Sequence, residues 1–394
     1  MHRTQPIRPI LCLLALVSLA SCGGAGDPSA ERLKRAASGR GEIVIGAAWP
    51  WEAHKDVLYW QGIELAESEI NGKGGINGRR IRILRADDGE DVEKGRLIAQ
   101  EFGKNPDVVA VIGHLQSYVT VPAAAIYDLS GLLLVSSTAT TSELTARGYR
   151  RVFRTIFSDV DVGKQMADYA VQRGYQRVVV YYARDEYGRG LANAFEERAA
   201  AQKVRVLDRQ SYDPSLSHNL SDVQQTVEGW KDLNPDAVFI AGQSEQAAVL
   251  VTELRRRGMN AAILGSDALA TPTYVRTAGA AAEGTVIASP FHTDAPSPPV
   301  RRFTSAFRAR YQKDPDAGAA LGYDAVNVLA NAMRTAGTSS PDKVAEALHG
   351  TRGWEGVTGK FTFDQSGSLV DMPIRKVVVR NGAFHHLDET AAPR

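Results

Sequence analysis

The chain has 394 residues, 44% of them hydrophobic and 23% charged, with 46 Lys plus Arg against 45 Asp plus Glu. That composition excludes a disordered, collagenous or disulfide-scaffold protein, and the length suits about two domains of ~100–200 residues. A net charge of +1 gives no global basic field for nucleic acid or anionic lipid, and the two Cys allow one disulfide or isolated thiols, as their positions decide.

Met1–Ser21 reads as an export signal, with Arg3 and Arg8 in a basic n-region and an uncharged, Leu-rich stretch from Ile10 to Ala20. That stretch is too short to span a bilayer, which needs about 20 apolar residues. It ends in Leu19-Ala20-Ser21-Cys22, which looks like a bacterial lipobox, whose Cys is acylated and becomes the first residue of the mature chain. The reading is an exported cell-envelope lipoprotein held to the membrane by its lipid alone. Cys12 leaves with the signal and Cys22 carries the lipid, so the mature domains expect neither thiol nor disulfide. Residues 22–41, rich in Gly, Ala, Ser and charge without periodicity, read as a flexible tether.

From Glu42, short apolar runs alternate with helical patterns, which predicts βα units around parallel sheets. Strands are expected at Ile43–Ala48, Ile81–Leu84, Val108–Ile112 and Leu132–Val135. After Arg154 the alternation restarts, with strands at Val178–Tyr182, Val204–Leu207, Ala237–Ala241, Ile263–Leu264 and Thr285–Ala288. Helical stripes such as Ile63, Ala66, Ile70 and Val162, Met166, Tyr169 lie between them. Val152–Thr155 and the four-proline stretch Pro290–Pro299 read as crossings between lobes. Helices at Val300–Tyr311, Ala319–Met333 and Pro341–His349 precede strand-like segments at Lys360–Phe363 and Lys376–Arg380. The expected fold is α/β, two doubly wound parallel-sheet lobes joined by a multi-strand hinge. The first lobe comprises 42–154 plus about 290–337, the second 155–289 plus about 338–388. Open α/β sheets bind ligands beyond the carboxyl ends of their strands, so the cleft between the lobes is the expected site.

Several motifs read as structural. Asn71–Gly78 follows a helix and precedes a strand, the reverse of a dinucleotide loop, and suits a C-cap with an Asn-Gly turn. Gly242-Gln243-Ser244-Glu245-Gln246 lacks the second Gly of a nucleophile elbow, so an esterase using Ser244 is the weaker reading and a helix N-cap at a cleft edge the stronger. His385-His386 with Asp388 and Glu389 reads as a solvated polar tail, and Arg255–Arg257 as charge at a helix C-terminus. No enzyme activity, cofactor or metal is expected.

The informative edges are Gly113–Tyr118 and Thr138–Ser142. Ser117 stands at a helix start after a buried strand, where free backbone N–H groups suit a carboxylate, unless it merely caps its helix. Thr138–Ser142 offers hydroxyls and N–H groups at the next strand end, again unless it is only an N-cap. With Asp267 at a strand end of the other lobe, these loops form an anion receptor facing an acid, which suits a zwitterion.

These residues resemble the branched-chain amino acid binding proteins of ABC transporters, the type I periplasmic binding proteins. The resemblance rests on Glu69–Gly78, Val111–His114, Pro122–Tyr127, Glu143–Thr145 through Phe153–Thr155, Tyr187–Leu191, Asp267 and Ala282–Gly284, in family order over nearly the whole mature chain. It implies that Ser117, Ala139 and Thr140 hold the α-carboxylate, Asp267 meets the α-ammonium, Tyr187 closes over the ligand, and Leu115 and Gln116 line the side-chain pocket. It also implies ABC permease subunits as partners. The chain departs from the family at Gln243, where an aromatic is usual, and at Trp49-Pro50-Trp51-Glu52, where a small Gly-containing turn is usual. Gln243, Trp49 and Trp51 therefore leave the ligand side chain open. A carrier of an aromatic carboxylate, amide or urea, or a ligand sensor working through another chain, are the alternatives.

Overall fold

The computed structural model describes residues 27–214, 220–370, 372 and 374–387. The signal segment, the lipobox with Cys22, Asp388 and Glu389 lie outside the described residues. Among those described, no helix is long and apolar enough to cross a membrane.

The first sheet contains β1 (Ile43–Trp49), β2 (Ile81–Asp87), β3 (Val108–Gly113), β4 (Leu133–Ser136) and β5 (Val152–Arg154), all parallel, in the order β2-β1-β3-β4-β5. Every residue of β1 and β3 is buried, as expected for central strands covered on both faces. Helices Tyr59–Gly72 and Ala317–Ala336 cover one face, and Val92–Lys104 and Ser117–Leu129 the other. The first pair crosses so closely that a Cβ at Gly62 would stand 1.9 Å from the Ala319 carbonyl oxygen, which makes the glycine a steric requirement.

The second sheet contains β6 (Arg177–Ala183), β7 (Arg205–Tyr212), β8 (Ala237–Ala241), β9 (Ala262–Gly265) and β10 (Val286–Ser289). The shared order β7-β6-β8-β9-β10 matches that of the first sheet. A hairpin of β13 (Arg375–Arg380) and β14 (Ala383–His386) extends it antiparallel from β10, and β11 (Trp354–Glu355) pairs with β12 (Lys360–Phe361) apart from both sheets. Helices Asp159–Gln172 and Glu186–Ala201 pack together on one face, while Leu220–Leu233, Ser244–Arg256 and Pro272–Ala278 cover the other.

Three expectations change. Residues 28–38 are not tether: they form a helix, Pro28–Ser38, with Asp27 accepting from Ser29 N at its start and Gly39 in the left-handed region at its end. Its Arg32 is 1% exposed and donates to four carbonyl oxygens of the first lobe, Val108 at 2.6 Å, Gly103 and Ser130 at 2.8 Å, and Asn105 at 3.3 Å. The segment following residue 338 belongs largely with the first lobe rather than the second. Pro341–His349 buries Val344, Ala345 and Leu348 against Ala317–Ala336, the Val357 and Thr358 amides donate to buried Asp324, and Phe363 packs edge-on against Phe153. Finally, His385 and His386 lie on β14, paired with β13, rather than in an irregular tail, with His385 exposed and His386 half-buried.

Replacing Arg32 with Ala would take a charged donor from these carbonyl groups, of which that of Asn105 keeps the Val108 N–H as a second partner, at about 1–3 kcal/mol for the group. Urea or thermal unfolding of Arg32→Ala should show a loss of about that size. A change under ~0.5 kcal/mol would mean that the helix is not anchored through this side chain.

Candidate functional site

Because the two sheets share one strand order, their reversal points, β1/β3 and β6/β8, carry equivalent loops. The carboxyl-end loops of both sheets converge on one cavity of about 430 Å³, within the ~300–1,000 Å³ typical of small-molecule sites.

The first lobe supplies Trp49 from the end of β1, Leu115, Gln116, Ser117 and Tyr118 after β3, and Thr138 and Thr140 after β4. The β3 loop is fixed from beneath. Gly113 has φ +133°, and a Cβ there would stand 2.0 Å from the Ala48 carbonyl oxygen, so only glycine lets β3 run this close to β1. His114, fully buried, pairs through Nδ1 with Asp88 Oδ2 at 2.6 Å and through Nε2 with the Tyr127 hydroxyl at 3.0 Å. Thr138 Oγ1 donates to the His114 carbonyl at 2.9 Å and ties the β4 loop to the β3 loop. Ser117 is the first residue of its helix, with Gln116 at the N-cap position, so the serine is not the cap. The helix therefore presents its N-terminal dipole and N–H groups at the cavity wall.

The second lobe supplies Asp185 and Tyr187 after β6, Gln243 and Ser244 after β8, and Asp267 after β9. Asp185 caps the helix Glu186–Ala201 by accepting from Gly188 N at 2.8 Å. The Tyr187 hydroxyl donates to Asp267 Oδ1 at 2.8 Å and accepts from Ala268 N at 3.2 Å. Burial pushes the Asp267 carboxyl up to about 6, even with the Tyr187 bond favouring its charge. Ser244 Oγ donates to the Ala268 carbonyl at 2.6 Å and lies 2.7 Å from Thr271 Oγ1, so it braces the Asp267 loop instead of standing free as a nucleophile.

At the cavity's first-lobe side, Glu90 Oε1 pairs with His54 Nε2 at 2.7 Å and accepts from Gln116 Nε2 at 2.6 Å. Burial opposes both charges, but the pairing outweighs it: the His54 pKa is raised and that of Glu90 lowered. Asp56 accepts from Thr273 Oγ1 at 2.8 Å across the mouth, so the lobes touch on the open side of the cleft as well as at the hinge.

Eight of the residues singled out from sequence thus share one cavity: Trp49, Leu115, Gln116, Ser117, Thr140, Tyr187, Gln243 and Asp267. Two side chains do not reach it. Trp51 turns into the core, donating its indole N–H to the Ala86 carbonyl at 2.8 Å beneath the Arg85 guanidinium. Ala139 buries its methyl in the core behind the first sheet, which leaves only its main chain for the cleft. Sequence reasoning passed over Tyr118, His54, Asp56, Glu90 and Asp185, which also line the cavity. The acidic run Asp87–Asp91 at the end of β2 was the available signal for Glu90.

Comparison with known proteins agrees with this fold. The sequence model of a family described as periplasmic binding protein matches residues 53–383. The Leu/Ile/Val-binding protein of Escherichia coli is 29% identical over 327 residues, 83% of this chain and 87% of that protein. An ABC transporter substrate-binding protein from Desulfitobacterium hafniense, solved in complex with Leu, is 36% identical with a TM-score of 0.79, over 88% of this chain and all of that one. A branched-chain amino acid transporter substrate-binding protein from Streptococcus pneumoniae, solved with isoleucine, is 27% identical with a TM-score of 0.79, over 87% of this chain and 97% of that one.

The Asp267 carboxyl bears on stability as well as binding. Its folded value of about 6 lies above its ordinary 3.8, so the unfolded chain sheds the proton first. Its contribution therefore falls as pH rises between these values and stays lost above them. Asp267→Asn should stabilise the ligand-free protein at pH 7.5 by on the order of 1–3 kcal/mol, read as a higher melting temperature. A lower one would mean that the acid is held by favourable contacts when the cleft is empty.

Proposed function

The chain belongs to the periplasmic binding protein family, in the branched-chain amino acid type of ABC transport, and we propose that it is a lipid-anchored carrier that captures an amino acid or a close analogue in the interlobe cleft and delivers it to ABC permease subunits. The observation that carries the reading is the opposition, across one cavity, of Ser117 and Thr140 at first-sheet strand ends to the Asp267–Tyr187 pair of the second.

In this reading the α-carboxylate is held by neutral donors: the Ser117 hydroxyl, the N–H groups opening its helix, the Ala139 main chain and Thr140. Neutral donors suffice once closure excludes water, and the helix dipole adds favourable potential. Asp267 pairs with the α-ammonium, and Tyr187 orients that carboxylate while covering the ligand. Trp49, Leu115, Gln116 and Gln243 surround the side chain. Each lobe holds one end of the ligand's charge, so a bound zwitterion favours the closed arrangement over the open one, and this differential affinity drives hinge closure. The bound leucine and isoleucine of the solved relatives support an amino acid as ligand. A second reading, an amide or aromatic carboxylate, is motivated by Gln116, Gln243 and the Trp49 ring at the cavity wall.

Isothermal titration against a panel of amino acids, their decarboxylated amines and their deaminated acids tests the reading. Leucine or another amino acid should bind, and its decarboxylated amine should lose at least about 100-fold; equal affinity would remove the carboxylate role of Ser117 and Thr140. Since Asp267 titrates near 6, affinity should be flat above pH 7 and fall about tenfold by pH 5. For the anchor, radiolabelled palmitate should enter the wild-type protein and be absent from Cys22→Ser.

A further inference from the structure

Glu90, at the cavity's first-lobe side, is held more firmly than a loop side chain needs to be. It lies in the turn after β2 with φ +60°, a left-handed conformation that residues other than glycine rarely adopt. Its backbone N–H donates to Asp88 Oδ1 at 3.0 Å, and the other oxygen of Asp88 holds His114 beneath the β3 loop. The side chain is clamped from both neighbouring loops, since Oε1 takes the bonds from His54 and Gln116. A clip between loops would need Oε1 alone. The second oxygen, Oε2, makes no hydrogen bond among the described residues, and the side chain keeps 30% of its surface exposed.

Three other acids at the cavity are engaged by the protein: Asp185 and Asp316 cap helices, and Asp56 accepts from Thr273 across the mouth. From the second lobe, helix Ser244–Arg256 begins opposite the Glu90–His54 pair. Glu245 bears on the charge of His54, and Gln246 Oε1, at the cavity wall, is buried without a donor. No Lys or Arg lines the cavity among the described residues. This part of the cleft therefore offers unfilled acceptors from both lobes, while its basic side chain, His54, is already paired with Glu90.

We propose that Glu90 Oε2 accepts from the ligand's side chain, so that the carrier admits amino acids whose side chains end in an N–H donor, charged or amide, alongside aliphatic ones, and bars those that end in a carboxylate. The proposal rests on the cleft reading above and narrows its ligand class at the end remote from the α-carbon. Burial opposes the Glu90 charge and the His54 and Gln116 bonds outweigh it, so its pKa lies below the ordinary carboxylate value and the acceptor stands ready before the ligand arrives. A hydrogen bond to a charged acceptor contributes more than one between neutral groups. An aliphatic side chain forgoes that bond without stranding Glu90, whose charge His54 and Gln116 already meet. A ligand carboxylate would instead face Glu90, with Glu245 on the other wall and no Lys or Arg to pair with.

The test titrates glutamine, lysine, glutamate and leucine into wild type and Glu90→Gln, a substitution that keeps the shape and the bonds at Oε1 and removes the charge. In the wild type, glutamine or lysine should bind within about tenfold of leucine, and glutamate at least about tenfold more weakly than the better of those two. Lysine binding more tightly than glutamine assigns the cationic class, and the reverse assigns the amide class. In Glu90→Gln the preference over glutamate should shrink at least about tenfold, while leucine affinity changes less than about threefold. Equal losses for all four ligands, or a preference within about threefold of wild type, would overturn the proposal, because a residue that only ties loops together cannot tell ligand side chains apart. Should Glu90→Gln not fold, the wild-type panel decides by itself, and glutamate binding within about tenfold of the better donor ligand overturns the proposal. If leucine binds while neither glutamine nor lysine does, the cleft reading stands and this inference alone falls; if no amino acid binds, both fall.

Discussion

Carboxyl groups buried with few partners are the constraint around which this protein is organised. Asp267 rests on a single tyrosine hydroxyl, the Asp159 carboxyl is buried near an Arg154 whose guanidinium bonds elsewhere, and no Lys or Arg lines the cavity among the described residues. A core arranged only for stability would neutralise or remove such groups. Retaining them requires a scaffold with stability to spare, and the two sheets provide it: central strands buried along their whole length, helices crossing at glycine contacts, and a helix N-terminal to β1 fastened by one buried arginine. Sites that break the ordinary rules of burial are where function is expected, because a partner from outside can satisfy them.

The fold brings such a partner to the right place through topology more than through any one residue. Each sheet begins at a strand one in from its edge and then reverses direction, so the loops after its first and third strands splay apart and leave a crevice beyond their carboxyl ends. Two copies of that arrangement, set edge to edge, make one cleft with a crevice on each wall. The two walls then differ in chemistry. The first presents a helix N-terminus and hydroxyls, which favour negative charge; the second presents carboxylates, which favour positive charge. In the proposed reading, a ligand carrying both charges meets its two partners only when the walls close on it.

Much of this was legible in the sequence. The strands of both sheets follow from uninterrupted apolar runs separated by helical stripes, and the cleft loops from their position at strand ends. What escaped has physical reasons. The helix Pro28–Ser38 is only three turns long and mostly polar, and what fixes it is Arg32, a residue type that periodicity assigns to the surface. Trp51 sits two residues beyond a strand end, where the chain turns and alternation no longer tells which way a side chain points. Residues from 338 onward were given to the second lobe because a later strand returns there. Yet the intervening helix has its own apolar face, and that face packs on the nearest helix of the first lobe. Asp159 is hidden for a subtler reason: with Ser158 and Asp161 it reads as an ordinary acidic helix start, and Ser158 and Asp161 do form a capping box. One acid in that run is a cap, and its neighbour is buried.

The same charge distribution bears on selectivity. One wall carries hydroxyls and a helix N-terminus and the other Asp267, while the remaining space is bounded by Trp49 and Leu115 on one hand and by Gln116, Gln243 and the Glu90–His54 pair on the other. Aliphatic contact discriminates weakly, about 1–3 kcal/mol per methylene, whereas an unpaired buried polar group discriminates strongly. Gln116 already donates to Glu90, so its pairing demand is met within the protein, and an aliphatic ligand beside it leaves no new donor orphaned. Glu90, in turn, is held ionised by His54 and Gln116 together, and it can accept from a ligand without needing to. That end of the cleft thus tolerates more than it demands.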